Sequence, residues 1–223
     1  MSKRFWLALI IATGFMIGAF VLSGGKAEAP KSDKFNDGDI LSIKDTDYKQ
    51  GAGNKNVTII EYADFQCPAC GALHPILKEV KDYYQDDITF VFRNFPLIQI
   101  HQNAQAAHRA AEASGRQNKF WEMHDLLYEN QQIWSESDKP QTIFEGFAQQ
   151  LGLDIEKYKT DFASEDVNTR ISADMESGKK LSINGTPTIF INGQQVKELP
   201  RDIESFKKLI DEEIAKSNQS TNQ

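Results

Sequence analysis

Cys67 and Cys70 are the two cysteines of this 223-residue sequence, and they stand in a C-x-x-C arrangement. Two thiols at this spacing can close into a disulfide and open again by exchange with a thiol of another protein. A small domain held together by disulfides carries more cysteines, and a structural zinc site usually needs four ligands. The pair therefore indicates thiol–disulfide exchange rather than a structural role.

The other potential ligands and the charge balance narrow the function further. The four histidines, at positions 74, 101, 108 and 124, follow no metal-ligand spacing, so neither a metal nor another cofactor is expected. The formal net charge of −7 and the pI near 5.2 argue against nucleic acid as a partner, because phosphate binding requires a basic face.

The residues around the cysteines predict a strand that leads into a helix. Residues 57–62 are β-branched and aromatic, as in a buried strand, and apolar residues recur at helical spacing after Cys70. Pro68 suits the first turn of that helix, where a missing N–H costs nothing. Cys67 then lies at the helix N-terminus, where free N–H groups and the dipole favour a thiolate. We expect Cys67 to be the exposed thiol of lowered pKa and Cys70 to be shielded.

The N-terminal region predicts attachment to a membrane. Residues 5–22 are uncharged and mostly apolar, a length just sufficient to span a bilayer. An A-x-A cleavage signal at residues 27–29 lies several residues beyond this run and is followed directly by Pro30, so an uncleaved anchor is favoured over a cleaved signal peptide. Residues 23–37 have the composition of a flexible linker. Because large C-terminal domains are translocated largely regardless of nearby charge, the domain is expected on the extracytoplasmic side.

Residues 38–217 are expected to form one α/β domain, followed by a disordered polar tail at residues 218–223. The first strand, the helix after Cys70 and a second strand predict a parallel βαβ unit. Asn192-Gly193 predicts a hairpin turn. The elements expected besides the first strand and helix are a short leading strand at residues 40–43, the second strand at 88–93, helices over about 99–182, a strand at 188–191 and a closing helix at 203–214.

Together these motifs resemble the DsbA-like branch of the thioredoxin superfamily over roughly residues 38–216. The resemblance is carried by the C-P-A-C motif after a strand, by the helical insertion, and by Gly185-Thr186-Pro187-Thr188 at the start of the later strand. Residues 93–97 and 120–124 are also similar to that branch. The resemblance implies an α/β, thioredoxin-like fold with a helical insertion between the first βαβ unit and the cis-proline strand, here preceded by an N-terminal transmembrane helix.

The resemblance also implies catalytic roles for four residues. In the family the first cysteine of the motif attacks and the second resolves, roles that would fall on Cys67 and Cys70. A cis-proline lies against the two cysteines in space, and Pro187 occupies its position. Glu61 matches a buried acid that assists proton transfer in DsbA-type enzymes.

Substrate contacts are expected at Thr186 and Pro68. The backbone of Thr186 would pair with an extended segment of substrate, as a short added strand does. One position departs from the family, because strongly oxidising members often carry a histidine where this chain has Ala69. The pKa of Cys67 is therefore expected to be lowered less than in the strongest oxidants.

The expected function is that of a membrane-tethered, extracytoplasmic thiol:disulfide oxidoreductase. It would introduce disulfides into exported proteins with free thiols, and a membrane redox partner would reoxidise it. The same chemistry run in the other direction, as a reductase or isomerase, is an alternative, although residues 23–37 are too short and polar to form an isomerase's dimerisation domain. A holdase-like binding protein without enzymatic activity, built on a thioredoxin scaffold, is an alternative of a different class.

Overall fold

A five-stranded mixed sheet lies at the centre of the domain, with the strand order β1-β3-β2-β4-β5. The computed structural model describes residues 40–220. Its strands are β1 (Tyr48–Gln50), β2 (Val57–Ala63), β3 (Ile88–Asn94), β4 (Thr188–Ile191) and β5 (Gln194–Gln195). β2 and β3 are parallel, whereas β1 pairs with β3, and β4 with β2, in the antiparallel direction. The parallel βαβ unit predicted from the sequence is therefore present.

Helices cover the sheet and fill the insertion between β3 and β4. In chain order they are α1 (Pro68–Tyr84), α2 (Ala104–Gly115), α3 (Phe120–Glu129), α4 (Gln131–Trp134), α5 (Pro140–Gln150), α6 (Ile155–Ala163), α7 (Glu165–Lys180) and α8 (Ile203–Ser220). A 3₁₀ turn, Gln85–Asp87, ends α1 where the sequence Gln-Asp-Asp interrupts the apolar pattern. Helices α2 to α7 make up the predicted helical insertion.

The central strands are apolar on both faces because both faces of the sheet are covered. Every residue of β2 and β3 except Thr58 is buried. Val57 and Ile59 of β2 point to one face of the sheet, where apolar residues of α1 and α8 pack against them. Ile60 and Tyr62 point to the other face and pack with residues that flank α7. A strand covered on both sides reads as a continuous hydrophobic run, which is why the sequence located β2 and β3.

The short leading strand predicted at residues 40–43 is wrong. The edge strand is β1, and the carbonyls of Ile40 and Ser42 instead accept hydrogen bonds of 2.7 Å each from the buried side chain of Arg93. That guanidinium also donates to both carboxylate oxygens of Asp47, at 2.9 and 3.2 Å. We call this set of bonds the Arg93 clamp, because it fastens the segment before β1 to β3.

The C-terminal region also differs from the sequence-based expectation. The tail predicted from residue 218 is wrong for residues 218–220, because α8 continues to Ser220 and no glycine or proline interrupts it. The hairpin turn at Asn192-Gly193 is confirmed: the two residues have φ of 47° and 79°, the pair of positive angles of a type I′ turn.

The predicted membrane anchor at residues 5–22 and linker at residues 23–37 lie outside the described residues. Across residues 40–220, no helix is both long enough and apolar enough to cross a bilayer.

Candidate active site

Cys67 is the N-cap of α1, between the end of β2 and the first helical turn. Its backbone is extended, with φ −66° and ψ 122°, and Pro68 follows at the first helical position. The Cys67 N–H donates to the carbonyl of Asp64 at 3.0 Å, and the Cys67 carbonyl accepts from the Gly71 N–H at 3.0 Å. This geometry starts the helix at the cysteine, so that the unpaired N–H groups of the first turn converge near its sulfur.

The pKa of Cys67 is lowered to about 5. The largest cause is the hydrogen bond from the Cys70 thiol, which outweighs the opposing effect of burial. The backbone N–H groups of Cys70 and Ala69 stabilise the thiolate further. In the reduced protein at neutral pH, Cys67 is therefore a thiolate, which is both the nucleophile and the better leaving group in exchange.

Cys70 has the opposite character. Burial raises the pKa of its thiol well above the ordinary value, and the negative charges of Cys67 and Glu61 raise it further. Only 1% of Cys70 is exposed, as expected for a shielded second cysteine. The expectation of an exposed Cys67 is wrong, because only 7% of it is exposed. The loop before β4 covers its sulfur, while Pro68 and Ala69 are exposed instead.

The loop before β4 reaches Cys67 because of the strand pairing. β4 runs antiparallel to β2 with Thr188 opposite Tyr62, so the residues before Thr188 lie beside the residues that follow β2. The Cys67 sulfur lies 3.4 Å from the carbonyl oxygen of Thr186, to which it donates when it is protonated. The Thr186–Pro187 peptide bond is cis, as the sequence predicted, and both residues are half-buried.

Glu61 lies on β2 and is 3% exposed. Burial raises its pKa to about 7, although the nearby ammonium of Lys81 partly opposes the shift. That ammonium lies 5.0 Å from the centre of the Phe90 ring and 4.7 Å from that of Trp121, within the range of cation–π attraction. The structure thus places near the dithiol a carboxyl group that can gain or lose a proton at neutral pH.

Three polar side chains, which the sequence analysis did not identify, fix the loop between β2 and α1. The Asp64 carboxylate accepts from the Gln66 N–H at 2.8 Å, from the Leu97 N–H at 2.9 Å and from His101 at 2.6 Å. Gln66 and Gln131 are the other two, with bonds to backbone groups of distant segments. The bond from the Gln66 N–H to the Asp64 side chain, two residues earlier, is a local turn pattern that the sequence could have revealed. The contacts of the two glutamines leave no such signal.

His74 of α1 and His124 and Asp125 of α3 form a cluster between the two helices, with one potential ligand atom of each within 4.8 Å of the others. Burial lowers the pKa of His124 to about 3, so this imidazole is uncharged at neutral pH. Asp125 is shared between His124, at 2.9 Å, and the ammonium of Lys78, at 3.4 Å. The negative charge of Asp125 is therefore already compensated by side chains of the domain itself.

A groove of about 530 Å³ opens beside Pro187. One wall is the apolar face of α1 and the other is the segment after β5; the lining residues are Ala69, Ala72, Leu73, Ile76, Pro187, Lys197, Leu199, Pro200 and Arg201. Lys197 and Arg201 are exposed, and neither forms an ion pair with a described residue. The groove therefore combines an apolar interior with two exposed positive charges at its edge.

Comparisons with known proteins agree with this architecture. The family model described as Thioredoxin matches residues 44–212. The probable disulfide bond formation protein D of Bacillus cereus is 30% identical over 209 residues, which are 91% of this chain and 94% of that protein. The Na⁺/H⁺ antiporter NhaA 1 of Salinispora arenicola is 38% identical over 151 residues, 68% of this chain; the matched part is 22% of that longer protein.

Two solved structures show the same fold at low sequence identity. BdbD from Bacillus subtilis in its oxidised form superposes with a TM-score of 0.65 at 24% identity, covering 75% of this chain and 92% of that one. Alpha-DsbA1 from Wolbachia pipientis superposes with a TM-score of 0.73 at 19% identity, covering 83% of this chain and 100% of that one.

Proposed function

Because this chain belongs to the thioredoxin family, as a DsbA-like thiol:disulfide oxidoreductase, we propose that it introduces disulfides into exported proteins. The observation that carries the proposal is the asymmetry of the two thiols, with a pKa of about 5 at Cys67 and a raised pKa at Cys70. A thiolate stabilised only in the reduced protein favours the reduced state, by about 30 mV of potential for each unit of pKa. The oxidised protein is then the better oxidant.

The reaction proceeds in two exchanges. A substrate thiolate attacks the Cys67 sulfur of the oxidised protein, forming a mixed disulfide and releasing Cys70, which takes up a proton because its pKa is high. A second substrate thiolate then attacks the substrate sulfur of the mixed disulfide, and Cys67 leaves as a stable thiolate. The substrate loses two electrons and the proton of each thiol. The protein gains the two electrons and one proton, which Cys70 carries, and the other proton goes to solvent because Cys67 stays a thiolate.

Glu61 serves the first exchange as the proton donor to Cys70. Its pKa of about 7 leaves a substantial protonated fraction at neutral pH. The negative charge of Glu61 contributes to the raised pKa of Cys70, which supports this pairing of the two groups. A neutral carboxyl there can supply the proton that the departing sulfur needs without leaving two negative charges buried together.

The groove beside Pro187 is the docking site for the substrate. An extended segment would place apolar side chains against Leu73 and Ile76 of α1, with its cysteine at Cys67. Thr186 and the exposed Pro68 border the sulfur and would contact the residues next to the substrate cysteine. Lys197 and Arg201 would favour segments that carry an acidic side chain.

The location and the cycle of the protein are part of the proposal. The apolar run at residues 5–22 would hold the domain on the extracytoplasmic side of the membrane, where exported proteins arrive with free thiols. After each turnover the dithiol must return its two electrons to an acceptor, which we propose to be a membrane redox partner.

The test is to mix the oxidised protein with a reduced, unfolded substrate that contains two cysteines and to follow the loss of substrate thiols. Wild type should oxidise the substrate stoichiometrically, and Cys67→Ser should not react. Cys70→Ser cannot form the Cys67–Cys70 disulfide, so it should not transfer a disulfide to the substrate. A potential at or below that of thioredoxin, about −270 mV, would contradict oxidation and support a reductase. Prevention of aggregation that Cys67→Ser leaves intact, without any oxidation by wild type, would support the holdase instead.

A further inference from the structure

Gln131, the first residue of α4, reaches from the helical insertion to the loop that carries Cys67. Its amide group donates to the carbonyl of Phe65 at 2.7 Å and to the carbonyl of Cys67 at 2.9 Å. Gln131 and Cys67 are 64 positions apart in the sequence, so this contact exists only in the folded domain. One side chain thus holds the carbonyls on both sides of Gln66 and fixes the approach to the helix start.

These two hydrogen bonds favour a negative charge on the Cys67 sulfur in two ways. They hold the extended backbone of Cys67, from which its sulfur meets the N–H groups of Ala69 and Cys70. The amide N–H groups also offset the partial negative charge on the two carbonyl oxygens, which would otherwise repel the thiolate. Neither effect requires Gln131 to touch the substrate or the sulfur.

Gly71 provides an independent observation at the same place. A Cβ added to Gly71 would lie 2.5 Å from the Oε1 of Gln131 and 3.0 Å from its Cδ, closer than non-bonded atoms approach. Gly71 lies within α1, where glycine is less favourable to the helix than alanine. The chain therefore has a helix-weakening residue at the point where the Gln131 side chain crosses α1.

We propose that Gln131 is a positioning residue for Cys67, and that Gly71 is the gap in α1 that admits its side chain. The helical insertion, which supplies Gln131, then acts directly on the strength of the oxidant rather than only shaping the surface. This inference rests on the proposed function, since it concerns the same dithiol.

The first experiment replaces the amide without removing its bulk. Gln131→Met should raise the pKa of Cys67 by about one unit, a tenfold change in its ionisation, and lower the reduction potential correspondingly by about 30 mV. Gln132→Met is the matched control, because Gln132 is exposed on the same short helix and should change neither quantity. The ultraviolet absorbance of the thiolate in the reduced protein gives the pKa. An unchanged pKa and potential in Gln131→Met would overturn the proposal, whatever its melting temperature.

The second experiment approaches the same contact from α1. Gly71→Ala should displace the Gln131 side chain and raise the pKa of Cys67 in the same direction. In a Gln131→Ala background the space is open, so Gly71→Ala should leave the pKa unchanged and raise the melting temperature through better helix propensity. An equal pKa shift from Gly71→Ala in both backgrounds would refute the role assigned to the gap.

The two proposals fail in different measurements. The titration of Cys67 needs no substrate, so the variants can shift its pKa even in a protein that proves not to oxidise dithiols. That result would refute the proposed function and leave the positioning role standing. Normal oxidation by wild type, together with an unaltered pKa of Cys67 in Gln131→Met and Gly71→Ala, would support the proposed function and refute the positioning role.

Discussion

The two cysteines are one helical turn apart, and yet their thiols ionise very differently. Cys67 lies before the helix, where N–H groups have no intrahelical acceptor, whereas Cys70 lies in the first turn and is almost completely buried. Each thiol affects the other: the Cys70 S–H stabilises the Cys67 thiolate, and that negative charge raises the pKa of Cys70. One proton shared between two sulfurs therefore accounts for much of the asymmetry.

The first prediction concerns this shared proton. Cys70→Ala removes the largest contribution to the lowered pKa of Cys67, so that pKa should rise above its value of about 5. Cys70→Ser keeps a hydroxyl donor at the same place and should raise it less. The pH dependence of alkylation of Cys67 measures both variants against reduced wild type. A pKa equally low in Cys70→Ala would show that the helix N-terminus alone stabilises the thiolate.

The second prediction concerns Glu61, whose pKa in the folded protein is raised from 4.5 to about 7. The folded state binds the proton more tightly than the unfolded state, so this stability is fully present below about pH 4.5 and is lost as the pH rises through 7. Glu61→Gln cannot ionise, so above pH 7 it should be more stable than wild type, by about 3 kcal/mol at most. Urea unfolding of the oxidised proteins at pH 5 and pH 8 tests this without titrating thiols.

The same variant tests the catalytic role of Glu61. Without the carboxyl, the release of Cys70 should slow, and the inflection near pH 7 in the rate of the first exchange should disappear. Glu112→Gln is the control, because the pKa of Glu112 is also raised to about 7 by burial, but it bonds to Tyr48 and Asn94 rather than interacting with the thiols. An inflection that persists in Glu61→Gln would exclude Glu61 as the proton donor.

The sequence predicts those candidate site residues that belong to local patterns. Cys67, Cys70 and Pro68 stand in one strand–helix motif, and Pro187 was located through a family motif at the start of β4. Gln131 was not found, because hydrogen bonds between a side chain and a distant backbone carbonyl impose no spacing on the sequence. The burial of Cys67 was not found either, because it is covered by a loop from another part of the chain.

Edge elements were harder to predict from the sequence than central ones. β2 and β3 were found because burial on both faces makes them continuously apolar. β1 has the sequence Tyr-Lys-Gln, which carries no such pattern. It is held by antiparallel pairing with β3 and by the stacking of Tyr48 on Phe120, with ring centres 3.7 Å apart. Both contacts are long-range, so the segment just before it was predicted as the strand instead.

The third prediction concerns the groove between α1 and the segment after β5. We expect a cysteine peptide with a neighbouring glutamate to react faster than the same peptide with glutamine, because Lys197 and Arg201 line the groove and form no ion pair within residues 40–220. Lys197→Glu combined with Arg201→Glu should abolish or reverse this preference, which we place at about two- to fivefold from the strength of exposed ion pairs. Rates for the two peptides, at low and high salt, measure it.

A matched control separates the groove from general charge effects. Lys49→Glu combined with Lys55→Glu makes the same change in net charge at exposed lysines on β1 and before β2, away from the groove. This control should keep the preference for the acidic peptide. If both double variants lose it equally, the discrimination comes from the overall charge of the protein and not from the groove.

At the scale of the whole molecule, the thiolate and the disulfide oppose each other in stability. In the reduced protein the pKa of Cys67 is lowered from about 9 to about 5, so its contribution is present above the unfolded value and lost as the pH falls through 5. At pH 7 it amounts to about 3 kcal/mol. A disulfide that closes so short a loop contributes only about 2 kcal/mol in the chain-entropy account.

The fourth prediction follows from that comparison. At pH 7 the reduced protein should melt no lower than the oxidised protein, and below about pH 5 the order should reverse because Cys67 is then protonated. Calorimetry of both forms at pH 7 and pH 4.5 checks the sign at each pH. A higher melting temperature for the oxidised form at pH 7 would mean that the thiolate is weakly stabilised, which argues for a reductase.

The Arg93 clamp also determines how the domain bears mechanical load. Anything attached before residue 40 pulls on the fold through the segment whose carbonyls, at Ile40 and Ser42, are held by one buried guanidinium. Tension on that segment enters the sheet at β3 through Arg93, and at β2 through the hydrogen bond of 2.9 Å that Arg93 donates to the Tyr62 hydroxyl. A load applied before residue 40 is therefore spread over both central strands of the sheet, and not over the edge strand β1 alone.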